Sequence, residues 1–238
     1  MSSQNTKISD DSISIILSTY NEAPVIEDTL KTIFETIKGV EIVLVDDNST
    51  DGTLEKVNKF KDLNIKIFSR KERDLASAFL LGLINTTGDK IGWIDSNMGK
   101  LIKFFPGMIE DLNDNDIILL SRFVKNGNDE RSKLRVMSSK LINLFCRLIL
   151  SNKIKDYTSS IFIMKRSCLI SAIPIGYGHG EFFIEFLYNC LKSNLKIKEI
   201  PYTQPPDKEG ISKTASSFLR FFKLGLNYII RILIIRFR

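Results

Sequence analysis

The sequence predicts an α/β fold in which helices flank a mostly parallel sheet. Three observations support this fold class. Short apolar runs of strand length alternate with longer segments that carry apolar residues at helical spacing. The 238 residues are enough for one well-buried domain. The 43% hydrophobic and 26% charged residues are ordinary globular proportions. We therefore expect a single doubly wound domain.

The first half of the chain supplies the alternating elements. Strands are expected at residues 13–19, 41–47, 65–70, 90–96 and 116–122. Helices are expected between them at residues 24–38, 53–60 and 74–86. The Asn-, Gly- and charge-rich segment 125–133 predicts a mobile loop, which is a candidate lid.

The second half predicts further helices and strands without an internal repeat. Helices are expected at residues 132–150 and 181–191, and strands at residues 160–165 and 195–202. We therefore assign residues 1–212 to the globular domain and residues 213–238 to a separate C-terminal helix.

The C-terminal segment 213–238 is apolar but carries spaced cations. At about 100° per residue, one quadrant of a helix collects most of the polar side chains, namely Lys213, Arg220, Lys223, Asn227, Arg231 and Arg238. A membrane-spanning helix needs about 20 residues with few charges, whereas a basic stripe beside a broad apolar face is typical of a helix lying among lipid headgroups. We expect a membrane-surface helix; a helix packed on the domain or at a dimer interface is the alternative.

The net charge of +6 and the pI near 9.1 favour acidic partners, such as nucleic acid, anionic lipid or phosphorylated small molecules. No alternation of aromatic and basic residues indicates a nucleic-acid platform, so we expect no nucleic-acid partner. The polar segment 1–12 lacks the apolar stretch of a signal peptide, which predicts a cytosolic domain. The widely spaced Cys146, Cys168 and Cys190 are expected in the core, and a lone His179 argues against a His-based triad.

Polar residues follow the predicted strands where a ligand would bind. Ligands of such sheets bind beyond the carboxyl ends of the strands, because the loops converge there and helix N-termini present free N–H groups. The polar sets are Ser18-Thr19-Tyr20-Asn21-Glu22, Asp46-Asp47-Asn48-Ser49, Asp95-Ser96-Asn97 and Ser121-Arg122. The sequence therefore predicts a polar, acidic site at this edge.

Two of these sets suggest specific chemistry. A capped loop does not require two adjacent acids such as Asp46 and Asp47. A carboxylate at this place can accept hydrogen bonds from a ribose or from base N–H groups. Asp95 and Asn97 project from one strand end on the same side, and both can bind a hard cation. Mg²⁺ or Mn²⁺ held there would neutralise a diphosphate leaving group. An Asx turn is the structural alternative at Asp95.

Several ordered segments together resemble one enzyme family. They are Ser18-Thr19-Tyr20-Asn21-Glu22, Val45-Asp46-Asp47-Asn48-Ser49-Thr50-Asp51-Gly52-Thr53, Ala76-Ser77-Ala78 with Gly82, Asp95-Ser96-Asn97, Ser121-Arg122-Phe123-Val124, Asp156-Tyr157-Thr158-Ser159 and Gly210-Ile211-Ser212-Lys213. These segments, taken in this order, resemble those of the family 2 glycosyltransferases. Within that family they resemble the dolichyl-phosphate mannosyltransferase and polyprenyl-phosphate glycosyltransferase group. The resemblance runs from about residue 13 to residue 213 and implies a GT-A fold.

The resemblance also implies residue roles. The donor nucleotide sugar would contact Thr19, Tyr20, Glu22, Asp46, Asp47, Asp95 and Lys213. Asp95 and Asn97 would bind the metal, and Arg122, Arg135 and Ser139 would bind the phosphate of a lipid acceptor. Asp95, Asn97, Arg122 and Arg135 would thus form the catalytic set.

The function implied by this resemblance is inverting transfer of mannose or glucose, from GDP-mannose or UDP-glucose, to a polyprenyl (dolichyl) phosphate at the cytoplasmic face of a membrane. A phosphate acceptor is already ionised at neutral pH, so no strong general base is needed. Transfer to a sugar hydroxyl would require a carboxylate base, for which Glu181 and Glu185 are candidates. A degenerate nucleotide-sugar-binding protein is the third alternative.

The chain departs from the family pattern at several positions. Asn97 replaces a second aspartate of the metal motif, and Gly99 stands where another oxygen ligand is often found. The family's Gly-Phe-Arg is here Ser160-Ile161-Phe162, and an arginine expected before Gly210 is Asp207. These departures predict weaker metal binding, or more reliance on the substrate phosphates.

Overall fold

The computed structural model describes residues 12–206 and 218–238, with side chains described for 12–206 and 225–238. Lys213, Asp207 and the predicted domain boundary at 212 lie outside the described residues.

A seven-stranded sheet forms the centre of the molecule. The strands are β1 (Ile13–Thr19), β2 (Glu41–Asp46), β3 (Ile65–Ser69), β4 (Lys90–Trp93), β5 (Ile117–Ser121), β7 (Phe162–Lys165) and β8 (Ile197–Pro201). They lie in the order β3-β2-β1-β4-β7-β5-β8. Strand β7 runs antiparallel to β4 and β5, while the other pairs are parallel. Two short strands, β6 (Asn128–Asp129) and β9 (Thr203–Gln204), pair beside this sheet. The predicted mostly parallel α/β fold is confirmed.

Helices cover both faces of this sheet. They are α1 (Ile26–Thr36), α2 (Thr53–Val57), α3 (Leu75–Asn85), α4 (Phe105–Asp111), α5 (Lys133–Ile149), α6 (Cys168–Ser171), α7 (Glu181–Lys192) and α8 (Phe218–Phe237). Short 3₁₀ helices occupy Asn58–Phe60 and Ser96–Phe104. Every residue of β2 is buried, as expected for a parallel strand covered on both sides.

The two faces of the sheet hold separate hydrophobic cores. Ile15 and Leu17 of β1 point to the face covered by α1 and α4, whereas Ile16 points to the face covered by α3 and α7. The core on the face covered by α3 and α7 is rich in aromatic rings. In it, Phe162 stacks on Phe183 with 4.6 Å between the ring centroids. The three cysteines are buried, as predicted.

The predicted strand 90–96 ends early, at Trp93, and the chain turns into the 3₁₀ helix Ser96–Phe104 followed by α4. Neither helix was predicted. This 3₁₀ helix packs closely on α1, since a Cβ at Gly99 would lie 2.6 Å from Thr29 Oγ1. Thr29 Oγ1 also donates a hydrogen bond to the Ser96 carbonyl at 2.7 Å. The glycine at position 99 therefore allows the two elements to approach.

The predicted C-terminal helix exists as α8, and it packs on α5 and α7. Ile232 and Ile235 are buried against the domain. The predicted outward basic stripe is wrong at Arg231, which is only 8% exposed and pairs with Glu185 at 3.2 Å. A buried carboxylate on α7 attracts this cation inward. No helix within the described ranges is both long and apolar enough to cross a bilayer.

Candidate active site

The candidate site lies at the carboxyl ends of β1, β2, β4 and β5, where the sequence predicted it. Parallel pairing of β1 with β2 places Thr19 directly beside Asp46. The Thr19 hydroxyl donates a 2.8 Å hydrogen bond to Asp46 Oδ1. Asp46 Oδ2 accepts a further hydrogen bond from the Ser49 amide, and Oδ1 one from the Ser49 hydroxyl. Asp46 is fully buried, so its carboxylate holds the β2 loop in shape.

The loops after β1 and β2 are bonded to each other. The Asn21 amide donates to Ser49 Oγ at 2.8 Å, and the Glu22 amide donates to Thr53 Oγ1 at 2.8 Å. Asn21 and Asn48 adopt left-handed φ angles of 52° and 60°, a conformation that asparagine tolerates better than most residues. This rigid pair of loops positions Tyr20 and Glu22.

Asp47 pairs with Arg70, which directly follows β3. We call these two side chains the polar rim of the site. Arg70 Nε donates to Asp47 Oδ1 at 2.6 Å, and the other guanidinium nitrogens donate to Ser77 Oγ and to the Asp74 carbonyl. Burial raises the pKa of Asp47, and the positive charge of Arg70 opposes that rise only partly. Sequence reasoning did not single out Arg70, although a cation directly after a parallel strand was a usable signal.

A second arginine, Arg73, lies over the ring of Tyr20 with its guanidinium carbon 3.6 Å from the ring centroid. Arg73 is exposed, so this cation–π contact lies on the surface of the site. The edge formed by the loops after β1 and β2 thus carries two arginines besides its carboxylates.

Asp95 follows β4 and is held by a residue from a distant segment. The Ser160 hydroxyl donates to Asp95 Oδ2 at 2.7 Å. Burial raises the pKa of Asp95, while the Ser160 hydrogen bond and the charge of His179 oppose the rise and the charge of Glu22 adds to it. The charges that act on Asp95 thus come from the loop after β1, which carries Glu22, and from the 176–180 loop, which carries His179.

The predicted metal ligands supply few protein oxygens. Asn97 is exposed beyond Asp95. Among the described residues, no group of three or more His, Cys, Asp or Glu side chains is placed to hold a metal ion. Gly99 packs against Thr29, so a ligand side chain at position 99 would not fit this arrangement. Such a sparse donor set fits a hard cation that takes most of its ligands from phosphates and water.

Arg122, a predicted acceptor-phosphate ligand, is buried and already engaged. Its Nε and Nη2 donate to the two oxygens of Asp156 at 2.8 and 2.7 Å, and Nη2 also reaches the Thr158 hydroxyl at 2.7 Å. Burial by itself lowers the pKa of Arg122, but the charges of Asp156 and Asp129 outweigh this and raise it. Arg122 thus anchors segment 156–158, and its contact with an acceptor phosphate stays a prediction.

The other predicted acceptor residues lie on α5 beside a further arginine. Ser139 Oγ accepts a hydrogen bond from Arg131 Nη2 at 3.0 Å. The Arg131 guanidinium also donates two hydrogen bonds to Asp129, at 2.9 and 2.7 Å. Arg135 lies one helical turn before Ser139 and is partly exposed. Arg131 was not among the predicted site residues, because its place in segment 125–133 indicated a mobile loop.

The two predicted base candidates both lie on α7. Glu185 faces α8, where it pairs with Arg231 at 3.2 Å. Glu181 begins α7, and its Oε2 accepts a hydrogen bond from the His179 amide at 3.1 Å. The 176–180 loop is fixed to α3, because the Gly178 amide donates to Asp74 Oδ2 at 2.8 Å.

The chain matches known proteins along most of its length. Dolichol-phosphate mannosyltransferase of Pyrococcus furiosus is 31% identical over 211 residues, which cover 84% of this chain and 58% of that protein. The chain therefore spans little more than half of this relative. Dolichol-phosphate mannosyltransferase of Saccharomyces cerevisiae is 27% identical over 243 residues, covering 91% and 90%. Dodecaprenyl-phosphate galacturonate synthase of Rhizobium johnstonii is 25% identical over 234 residues, covering 95% and 68%.

Solved structures share the fold at lower identity. Glucosyl-3-phosphoglycerate synthase from Mycobacterium tuberculosis, in complex with Mn²⁺, UDP-glucose and phosphoglyceric acid, superposes with a TM-score of 0.71 at 17% identity, covering 95% of this chain and 80% of that chain. This likeness shows the common GT-A architecture and no more. The family model described as Glycosyl transferase family 2 matches residues 14–171. Since this match covers more than half of the chain, the protein belongs to glycosyl transferase family 2.

Proposed function

We propose that this protein is an inverting glycosyltransferase that transfers mannose or glucose from a nucleotide sugar to a polyprenyl phosphate. One observation carries the proposal: the relatives that align with 84%, 91% and 95% of the chain are each named for a dolichol phosphate or a dodecaprenyl phosphate. A peripheral location at the cytoplasmic face of a membrane belongs to the same proposal, since such a lipid resides in the bilayer.

The donor side of the proposal uses the rim at β1, β2 and β4. Asp47, held by Arg70, would accept hydrogen bonds from the nucleoside of GDP-mannose or UDP-glucose. Thr19 and Asp46 support the rim through their hydrogen bond, and Tyr20 and Glu22, in the loop after β1, would contact the donor. Lys213 would close over the donor phosphates. Mg²⁺ or Mn²⁺, held by Asp95, Asn97 and the phosphates, would supply positive charge for the leaving diphosphate.

The acceptor side uses the arginines near α5. Arg135 and Ser139, with the neighbouring Arg131, would hold the lipid phosphate by charge-assisted hydrogen bonds. Arg122 would position this region through Asp156 instead of binding the phosphate itself. A phosphate oxygen then attacks the anomeric carbon, the bond from that carbon to the diphosphate breaks, and the nucleoside diphosphate leaves with the electron pair. No proton has to be removed from the nucleophile.

Transfer to a sugar hydroxyl is the second candidate. It is supported by the position of Glu181, which lies beside the loop containing His179 and is 7% exposed. A hydroxyl nucleophile must lose a proton, and a buried carboxylate next to the site is suited to that role. The two candidates differ in whether Glu181 is required.

The test is transfer of labelled sugar from GDP-mannose and from UDP-glucose to a polyprenyl phosphate in detergent, with Mn²⁺ or with a chelator. We expect metal-dependent label in the lipid for wild type and for Asp62→Ala, an exposed control acid. Asp95→Ala should lose at least about a hundredfold in rate, as expected for loss of the metal's charge at the leaving group. Glu181→Gln should retain activity with the phosphate acceptor.

Absence of transfer to lipid, with Glu181-dependent transfer to a glycan, would replace the first candidate with the second. Binding of nucleotide sugar without transfer to either acceptor would identify a degenerate binding protein.

A further inference from the structure

The 176–180 loop leads into α7 and contains three glycines. Glycine loses more conformational freedom on folding than any other residue, so a loop of this composition keeps one shape only where its neighbours hold it. Helix α3 holds one side of the loop. The Gly178 amide donates to Asp74 Oδ2 at 2.8 Å, and the Gly178 carbonyl accepts a hydrogen bond from the Ala76 amide at 3.0 Å.

The attachment to Asp74 links the loop to the polar rim. Arg70 Nη2 donates to the Asp74 carbonyl at 2.5 Å, and Arg70 Nε donates to Asp47 Oδ1 at 2.6 Å. The loop also carries His179, whose charge acts on Asp95. The loop therefore extends from the rim, to which it is bonded, towards the acid that the proposed function assigns to the leaving group.

Tyr228, on the inward face of α8, contacts the other side of the loop. Its hydroxyl lies so close to Gly180 that a Cβ at position 180 would overlap it. Gly180 has ordinary backbone angles, with φ −109° and ψ −11°, so the contact and not the backbone requires a glycine here. Burial raises the pKa of Tyr228, and a hydrogen bond with the Gly180 backbone opposes only part of that rise. The hydroxyl is therefore neutral at physiological pH.

Arg231, about one turn further along α8, contacts the loop through Tyr177. The guanidinium carbon of Arg231 lies 4.6 Å from the ring centroid of Tyr177, and its Nη1 lies 3.2 Å from Glu185 Oε2 on α7. Arg231 is buried, and a desolvated cation binds an aromatic ring more strongly than an exposed one does. We call Tyr228 and Arg231 together the α8 clamp.

We propose that Tyr228 and Arg231 are positioning residues for sugar transfer, because they hold the 176–180 loop against α3 and so fix it beside the donor side of the site. Neither side chain touches a substrate. The proposal rests on the proposed function for the reaction that the loop serves. It gives the inward face of α8 a task in catalysis.

The experiment follows two properties of the full chain: hydrogen exchange of the Gly178 amide, measured by NMR without substrates, and steady-state sugar transfer. Tyr228→Phe removes only the hydroxyl. We expect exchange at least about tenfold faster, because the loop opens more often. We expect kcat to fall about tenfold as the loop is misplaced. KM for the nucleotide sugar should stay constant, since the pair of Asp47 and Arg70 is untouched.

A change at Gly180 tests the contact with Tyr228 from the other side. In wild type the methyl group of Gly180→Ala overlaps the hydroxyl, whereas in Tyr228→Phe the nearest atom is the ring carbon Cζ at 3.3 Å. Gly180→Ala alone should therefore accelerate exchange at Gly178 about tenfold, and the same change in Tyr228→Phe should add no further acceleration.

Arg231 is tested with a variant that keeps its charge. Arg231→Lys retains a cation beside Glu185 but loses the planar group over Tyr177, so it should also accelerate exchange at Gly178. Two controls should match wild type in both properties. Tyr188→Phe removes a hydroxyl from another buried tyrosine. Arg236→Gln removes a cation from the exposed face of α8.

Unchanged exchange at Gly178 in both Tyr228→Phe and Arg231→Lys would overturn the α8 clamp. Faster exchange with an unchanged kcat would show that the position of the loop has no effect on transfer, and would overturn the positioning role. If wild type transfers no sugar while Tyr228→Phe still exchanges faster, the proposed function fails and the clamp stands, because the exchange measurement needs no substrate.

Discussion

Ser160 donates a 2.7 Å hydrogen bond to Asp95 Oδ2 across 65 residues of sequence. The serine stands where the family pattern has a glycine, so this chain has a hydroxyl on its proposed metal ligand. Ser160 holds one carboxylate oxygen, and under the proposed function the other oxygen would bind the cation. Partners of this kind fix the direction of a ligand and tune its affinity.

Replacing Ser160 should therefore weaken metal binding. We expect Ser160→Ala to lower Mn²⁺ affinity about tenfold, and Ser160→Thr, which keeps the hydroxyl, to restore most of it. Electron paramagnetic resonance of free Mn²⁺, titrated with and without a nucleoside diphosphate, measures this without any turnover. Ser171→Ala, at an exposed serine, is the control. Unchanged affinity in Ser160→Ala would show that the hydrogen bond has no bearing on the metal.

Removing the Arg122 side chain should destabilise the fold and should not be limited to an effect on acceptor binding. The side chain is 5% exposed and bridges Asp156 and Asp129, so Arg122→Ala leaves buried carboxylates without their counter-ion. We expect the free energy of unfolding to fall by about 3–5 kcal/mol. Chemical denaturation measures the loss, and Arg147→Ala, which removes an exposed hydrogen bond to Asn152, should change it by less than about 0.5 kcal/mol. Normal stability with a raised KM for the acceptor would instead support direct phosphate binding.

Arg70 should control donor binding through Asp47. Arg70→Ala removes the guanidinium bonded to Asp47 and to Ser77. The Asp47 carboxylate would then lose its fixed orientation, and its pKa, already raised by burial, would rise further without that charge. We expect KM for the nucleotide sugar to rise about tenfold while KM for the acceptor stays constant. Steady-state kinetics with each substrate varied distinguishes these effects. Lys71→Ala, an exposed neighbour, should leave both constants unchanged.

Glu41, at the start of β2, should make stability depend on pH. Burial raises its pKa, but hydrogen bonds from Lys66, Ser14 and Thr87 outweigh burial and lower it below the ordinary 4.5. A lowered carboxyl pKa gives stability that is present above the unfolded value and is lost as the pH falls through the folded value. The free energy of unfolding of wild type should exceed that of Glu41→Gln by about 1–3 kcal/mol at neutral pH. The difference should shrink below pH 4.5.

Thermal or chemical unfolding of both proteins across this acidic range checks the prediction for Glu41. Glu35→Gln, at an exposed position on α1, supplies the control that should show no such trend. A constant difference between wild type and Glu41→Gln at every pH would mean that the charge of Glu41 is not what stabilises the fold.

The sequence by itself determined the sheet, most of its helices and the edge at which the site lies. Strand β1 spans the predicted residues, and the other predicted strands of the main sheet differ by up to three residues at an end. This succeeded because periodicity is a local property, and because the carboxyl ends of parallel strands share one edge whatever the loops do. Thr19, Asp46, Asp47 and Asp95 lie at that edge for this reason, and their roles there stay predictions.

Only the tertiary structure decided which charged side chains form ion pairs inside the protein. Arg122 and Arg231 were both assigned to outside ligands, yet Asp156 and Glu185 hold them in the interior. Ser160 was seen as a departure from a pattern before its bond to Asp95 was visible. In each case the partner lies far along the chain, so spacing in the sequence carries no information about the pairing. Burial makes an opposite charge or a hydrogen bond necessary, and the packing of distant segments determines which residue provides it.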